Sequence, residues 1–166
     1  MNRISFLGAA AIKMVENKVV GRIPFFLLKV LADGVEDWPK RGNTAQSIMR
    51  KALVLHIATP STTVSSIRSL KAAGAIEILP QRPIIIHAPK VGASPAEIMF
   101  IGNVIDKKER PTPETVKLFR WFFSEIDLSK LDDIPPIREL VKASGFSYAF
   151  VHKNLSWMRA NIDELV

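Results

Sequence analysis

The fold of this chain depends most on one stretch, TPSTTVSSIRSLKAAGAIEIL at residues 59–79. Pro60 suits the first position of a helix, where its missing N–H would have no partner, and Thr59 can cap the helix just before it. Gly74 suits the position just after the helix, where the backbone turns left-handed. A second apolar run, PIIIH at 83–87, follows within a few residues. The stretch therefore predicts a capped helix followed by a short β-hairpin.

One side of this predicted helix is apolar and the opposite side is hydroxylated. At about 100° per residue, Thr63, Ile67 and Leu70 face a core. The outward side carries Ser61, Thr62, Ser65, Arg68 and Ser69. Such a face can enter a major groove and give hydrogen bonds to base edges. If Val64 packs inward instead of Thr63, the outward face rotates by one residue, and the residues that would contact bases, here called the readers, become Thr62, Ser66 and Ser69.

Basic residues are concentrated around the same helix. Residues 1–90 hold 13 Lys+Arg and 5 Asp+Glu, and the whole chain carries a net charge of +7. Between residues 40 and 90 the only acid is Glu77. A basic face attracts a phosphate backbone whatever the base sequence. The side chains expected to contact phosphate are Lys40, Arg41, Arg50, Lys51, Lys71 and Arg82.

Residues 22–90 resemble winged helix-turn-helix regulators. In that family the recognition helix ends in a leucine, three mostly polar residues, a glycine and two apolar residues, and here residues 70–76 read LKAAGAI. The resemblance implies a mainly α fold with a small β-hairpin wing, followed by a C-terminal helical segment. Helices predicted at Pro24–Asp33 and at Thr44 to about Ile57 complete the three-helix core that such a module needs. The resemblance also implies that the partner is double-stranded DNA.

A weaker second helix-turn-helix resemblance lies at residues 134–162. A short helix at 136–144, a turn at 145–147 and a longer helix at 148–162 are predicted. Asn154 stands where the motif expects an aliphatic residue, and Val141 stands where a small alanine is usual. A second reader would use Ser147, Tyr148, His152 and Lys153. Phe150 and Trp157, beside the apolar stripe, instead favour a helix that dimerises or packs on another domain.

The sequence predicts three segments. Residues 1–90 form the DNA-binding domain with an N-terminal helix or arm. Residues 91–111 form a helix, opened by the capping-box pattern Ser94-Pro95-Ala96-Glu97, and a charged linker. Residues 112–166 form a helical domain, either a second helix-turn-helix or a dimerisation unit.

Residues for catalysis are lacking. The chain has no cysteine, its three histidines are isolated in the sequence, and it has no glycine-rich phosphate loop and no nucleophile elbow. We therefore expect no enzyme, no metal and no cofactor. The longest apolar run, at residues 23–28, is far too short to cross a membrane, so we expect no membrane partner.

These observations predict a sequence-selective duplex DNA-binding protein that regulates transcription in a bacterial-type cytoplasm, at the nucleoid. A homo-oligomer or a protein partner would form through the C-terminal helices. Two alternatives stay open. One is a replication or DNA-processing accessory factor of a mobile element. The other is a winged-helix module that holds another protein and does not bind DNA.

Overall fold

The computed structural model describes residues 2–19, 23–33, 50, 59–74, 76–78, 84–86 and 89–166. Helices dominate these ranges. They are α1 (Arg3–Glu16), α2 (Ile23–Ala32), α3 (Pro60–Ala72), α4 (Pro95–Lys107), α5 (Pro113–Glu125), α6 (Ile137–Ser144) and α7 (Tyr148–Leu165), with a 3-10 turn at Leu131–Asp133. Two three-residue strands, β1 (Ile76–Ile78) and β2 (Ile84–Ile86), pair antiparallel, with Glu77 opposite Ile85.

The predicted fold class, a winged helix-turn-helix with a β-hairpin wing, is wrong. The described architecture is helical, and the sheet that a wing requires is reduced to one ladder of three residue pairs. The isoleucine-rich runs have high β propensity, but two strands this short form no stable layer of their own. The helix predicted at residues 44–57 lies outside the described residues except for Arg50, so the proposed three-helix core stays a prediction.

The core forms instead around α1 and α4, which pack against each other in opposite directions. Arg3 at the start of α1 pairs with Asp106 at the end of α4, while Gly8 lies against Ile98 nearer the start of α4. A Cβ atom on either Gly8 or Gly102 would collide with backbone of the other helix. Every residue from Phe6 to Ile12 is buried. This close contact draws the N-terminal helix into one core with helices from the second half of the chain.

Aromatic side chains extend this core across α5 to α7. The Phe119 ring lies 6.1 Å from the Phe100 ring and 5.6 Å from the Trp157 ring, the latter edge-on. Thr112 caps α5 in a reciprocal capping box with Thr115, which orients the helix on the core. Buried residues of α1, α4, α5 and α7 therefore belong to one hydrophobic cluster. The domain boundaries at 90 and 111 remain predictions.

Helix ends follow the local sequence signals closely. Thr59 accepts a hydrogen bond from the Thr62 backbone N–H at 3.3 Å, and Gly74 has a left-handed φ of 76°. Ser94 caps α4 by accepting from the Glu97 backbone at 3.2 Å. The Glu97 carboxylate pairs with Arg120 at 2.8 Å, so the predicted capping box is only half formed. Local capping thus predicts where helices begin, while tertiary contacts decide the partners of their side chains.

Candidate nucleic-acid interfaces

The outward face of α3 has the register expected when Thr63 packs inward. Thr63 is fully buried and donates to the Thr59 carbonyl at 2.9 Å, whereas Val64 is 37% exposed. Among the predicted readers, Ser61, Thr62, Ser65 and Arg68 are exposed and Ser69 is half-buried. The rotated alternative, with Ser66 outward, is wrong because Ser66 is only 5% exposed.

One flank of this face is concave. A groove of about 490 Å³ separates α3 from the end of α1 and the start of α2. Its polar lining is Asn17, Lys18, Thr62, Ser65, Ser66 and Ser69. Three of the five predicted readers therefore border a groove that the end of α1 also lines. A helix that reads bases has to protrude, so this flank is poorly placed to enter a major groove.

The predicted phosphate contacts are only partly visible. Arg50 and Lys71 are exposed. Lys40, Arg41, Lys51 and Arg82 lie outside the described residues. Lys18, which the sequence analysis missed, adds an exposed cation at the edge of the groove. No sequence signal pointed to it, because it precedes α3 by more than forty residues and only the fold brings the two together.

The C-terminal segment forms a short helix, a turn and a longer helix. Gly145 ends α6 with a left-handed φ of 76°, and Ser147 caps α7 by accepting from the Phe150 backbone N–H at 3.3 Å. Leu140 of α6 and Val151 of α7 are buried between the helices and the core. The outward positions of the first turns of α7 are all exposed: Ser147, Tyr148, Ala149, His152, Lys153 and Ser156. This set contains every residue predicted for a second reader.

Asn154, the main departure from the motif, is accommodated inside the unit. Its side chain is 2% exposed, and its amide nitrogen donates to the Phe150 carbonyl at 2.9 Å. A buried amide is tolerated when its donor is satisfied. The side chain thus occupies the aliphatic position without breaking α7.

The two aromatics that favoured a dimerisation helix are engaged within the protein. The centres of the Phe150 and Phe146 rings lie 5.5 Å apart, and the Trp157 ring makes an edge-to-face contact with the Phe119 ring. The Lys108 ammonium sits 4.4 Å from the centre of the Trp157 ring. Neither aromatic is an exposed large hydrophobic residue. They therefore give no support to an interface with another chain.

Electrostatics distinguish this surface from the rest of the acidic second half. From Gly145 to Ile162 the sequence holds no acid, and Arg138, Lys142 and Lys153 are exposed on α6 and α7. The Tyr148 and His152 rings stack one turn apart, 5.9 Å between centres and 14° from parallel. Burial, and then repulsion from Lys153, lower the pKa of the Lys108 ammonium to about 8.

Comparison of the chain with family models, with curated proteins and with solved structures found no match. Within the described ranges, no cluster of three histidine or carboxylate side chains could hold a metal ion. None of the described helices has the length and hydropathy needed to span a membrane. The assignment of function therefore depends on the two surfaces themselves.

Proposed function

We propose that the protein binds duplex DNA sequence-selectively and regulates transcription, with α7 as the reading helix. The observation that carries this proposal is the outward set on the first turns of α7, held by a helix-turn-helix whose inward positions are buried. In such units the second helix lies in the major groove and its N-terminal residues contact base edges. The left-handed Gly145 supports the turn that this geometry needs.

Two features favour α7 over α3 as the reader. The exposed residues on the first turns of α7 include no acid, whereas the hydroxylated flank of α3 borders a groove. Some polar groups of α3 are also committed to their own helix, since Ser69 donates to the Ser65 carbonyl at 3.2 Å and Thr59 donates to Thr62 at 3.0 Å. Arg68 on α3 is exposed, and it is the main alternative to the α7 residues as the side chain that reads bases.

The side chains of α7 divide into two roles. Tyr148 and His152 stack on each other, which limits their rotamers and prepares them to contact base edges. Lys153 and the α6 residues Arg138 and Lys142 supply charge for phosphates on either side. The Ser147 oxygen already accepts the capping hydrogen bond, so its O–H is left to donate to a phosphate.

The first test is selection of bound sites from a mixed genomic DNA pool, followed by titration of the recovered site and of random duplex at several salt concentrations. His152→Ala should lose about 1–3 kcal/mol of preference for the recovered site. Lys153→Ala should weaken both duplexes alike and reduce the salt slope by about one unit. Lys117→Ala, an exposed lysine on α5, is the matched control and should change neither.

Two results would contradict the proposal. Failure to bind any duplex at low salt would exclude DNA binding and leave the protein-holding module as the better candidate. Loss of preference in Arg68→Ala, with His152→Ala unchanged, would transfer the reading role to α3. The sites recovered also separate transcription from replication, because promoters would support a regulator and origin repeats would support an accessory factor of a mobile element.

The proposal also includes a homodimer or a protein partner bound by the C-terminal helices through contacts other than Phe150 and Trp157, and action at the nucleoid in the cytoplasm. A dimer would engage two half-sites about 34–36 Å apart, which raises affinity without new contacts. The recovered site should then be a palindrome. Sedimentation of the protein on that site would measure whether two copies bind; a single copy would contradict the dimer and leave the reading helix unaffected.

A further inference from the structure

We propose that the groove between the end of α1 and α3 binds the phosphate group of a small phosphorylated molecule. This site is separate from the α7 surface and does not depend on it. The groove volume of about 490 Å³ lies in the range of small-molecule sites. Val19, Pro24, Ala72 and Ala73 give it an apolar part that would contact the organic remainder of the ligand.

The first observation is a buried hydroxyl that has no partner in the part of the chain that the structure describes. Ser66 lines the groove and is 5% exposed, yet it makes no hydrogen bond there. Its neighbours Thr63 and Ser69 each donate to the carbonyl four residues earlier. A buried polar group without a partner costs free energy and calls for an explanation. A ligand atom in the groove would supply the missing acceptor.

The second observation is the cation at the rim. Lys18 lies two residues after the end of α1 in a left-handed conformation with φ 57°. The Lys18 N–H donates to the Val15 carbonyl at 3.1 Å, and the Val19 N–H donates to the Met14 carbonyl at 2.9 Å. Glycine usually occupies this position because a side chain there is strained. No carboxylate lies within ion-pair distance of Lys18 among the described residues. A lysine in a strained conformation, with no ion-pair partner among the described residues, is thus held beside the hydroxyls.

The polar lining offers mostly donors. Thr62, Ser65 and Ser66 have hydroxyl protons not committed to described acceptors, and the Lys18 ammonium has three more. Asn17 turns its amide nitrogen to the Lys13 carbonyl at 2.9 Å, which leaves one acceptor oxygen. Among the described residues that line the groove, none is acidic. A surplus of donors around one positive charge matches a phosphate oxyanion, since charge-assisted hydrogen bonds to such an anion are strong.

The test is titration of the full chain with inorganic phosphate and with glycerol 3-phosphate, at constant ionic strength set with chloride, followed by amide NMR shifts. Saturable shifts are expected at Lys18 and Ser66, tighter for glycerol 3-phosphate because of the apolar lining. Ser66→Ala should weaken binding about tenfold and should not lower the melting temperature, since it removes an unsatisfied group.

Lys18→Gly provides a readout that a structural role would not give. The glycine relieves the left-handed strain, so the melting temperature should hold or rise while phosphate affinity falls about tenfold. Lys117→Ala, on α5, should leave phosphate affinity unchanged. Absence of saturation up to about 20 mM, or equal affinity in wild type and both groove variants, overturns the proposal.

A DNA titration of Lys18→Gly identifies the source of the phosphate. Unchanged DNA affinity supports a small molecule as the ligand. Weakened DNA affinity, together with no binding of glycerol 3-phosphate, would assign the groove to the DNA backbone and overturn the small-molecule ligand.

Discussion

Replacing Gly102 with alanine tests the contact around which the core forms. The added Cβ would collide with the Ile4 carbonyl oxygen and lie 2.8 Å from the Ile4 Cγ2 atom. The main obstacle is backbone inside a buried helix, so no rotamer change can relieve the collision. The helices α1 and α4 must therefore move apart.

The cost follows from the space that this movement opens. Parting two helices by about 1 Å over a contact roughly 15 Å long and 10 Å wide opens on the order of 150 Å³, and at about 24 cal/mol per Å³ this loses about 3–4 kcal/mol. Alanine returns about 1 kcal/mol as the better helix former. We expect a net loss of about 2–3 kcal/mol, a large share of the about 5–15 kcal/mol that holds a typical domain.

Urea unfolding followed by helical circular dichroism measures this loss. The matched control is Gly92→Ala, because a Cβ there meets nothing within 4 Å and its φ is not left-handed. The control should be neutral or slightly stabilising. The double variant Gly8→Ala/Gly102→Ala should lose less than the sum of the single losses, because the first separation makes room for the second methyl group. A free energy of unfolding for Gly102→Ala equal to that of the control would refute the close contact.

Two further substitutions test the C-terminal unit. The folded-state pKa of Lys108, about 8, lies below its ordinary value of 10.5, so the unfolded chain binds more protons between these pH values. The free energy of unfolding of the wild type should therefore rise from pH 7 to pH 10. Urea unfolding at the two pH values should show that Lys108→Met removes this rise, which is on the order of 1 kcal/mol. Equal pH slopes for the two proteins would contradict the buried lysine. Asn154→Leu should leave the free energy of unfolding unchanged or raise it by about 1 kcal/mol, because an apolar side chain replaces a buried amide and the Phe150 carbonyl retains its own helical hydrogen bond. A loss above about 1 kcal/mol would show that the amide is needed.

Local signals in the sequence predicted much of the secondary structure. The helix α3 begins and ends where the local signals predict: Thr59 caps it, Pro60 occupies its first position, and Gly74 follows its end in a left-handed conformation. The spacing of Leu140, Gly145 and Val151 likewise predicted α6, the turn and α7. These rules work because capping and left-handed backbone depend on a few neighbouring residues.

The tertiary arrangement was not predictable in the same way. The helical wheel of α3 separates inward from outward residues, but it does not say what lies across from them. Here the end of α1 lies there, and it supplies Lys18 to the groove. The pairing of Gly8 with Gly102 joins positions 94 residues apart, and nothing local to either one indicates it. The winged-helix fold class failed because the described architecture is helical and the wing is reduced to one ladder of three residue pairs.

The antiparallel pair of α1 and α4 places the two candidate sites at opposite ends of one close helix–helix contact. The last turn of α1 leads to Lys18 at the groove. The end of α4 leads to Lys108, which lies beneath Trp157 of α7, and Asn103 donates to the Leu165 carbonyl at 3.3 Å. A change that parts the pair should therefore disturb both surfaces together. Binding of a ligand or of DNA to only one surface should instead depend on the side chains exposed on that surface. Substitution of Lys18 in the groove, or of His152 on α7, should therefore affect one function and leave the other unchanged, which no substitution in the core can do.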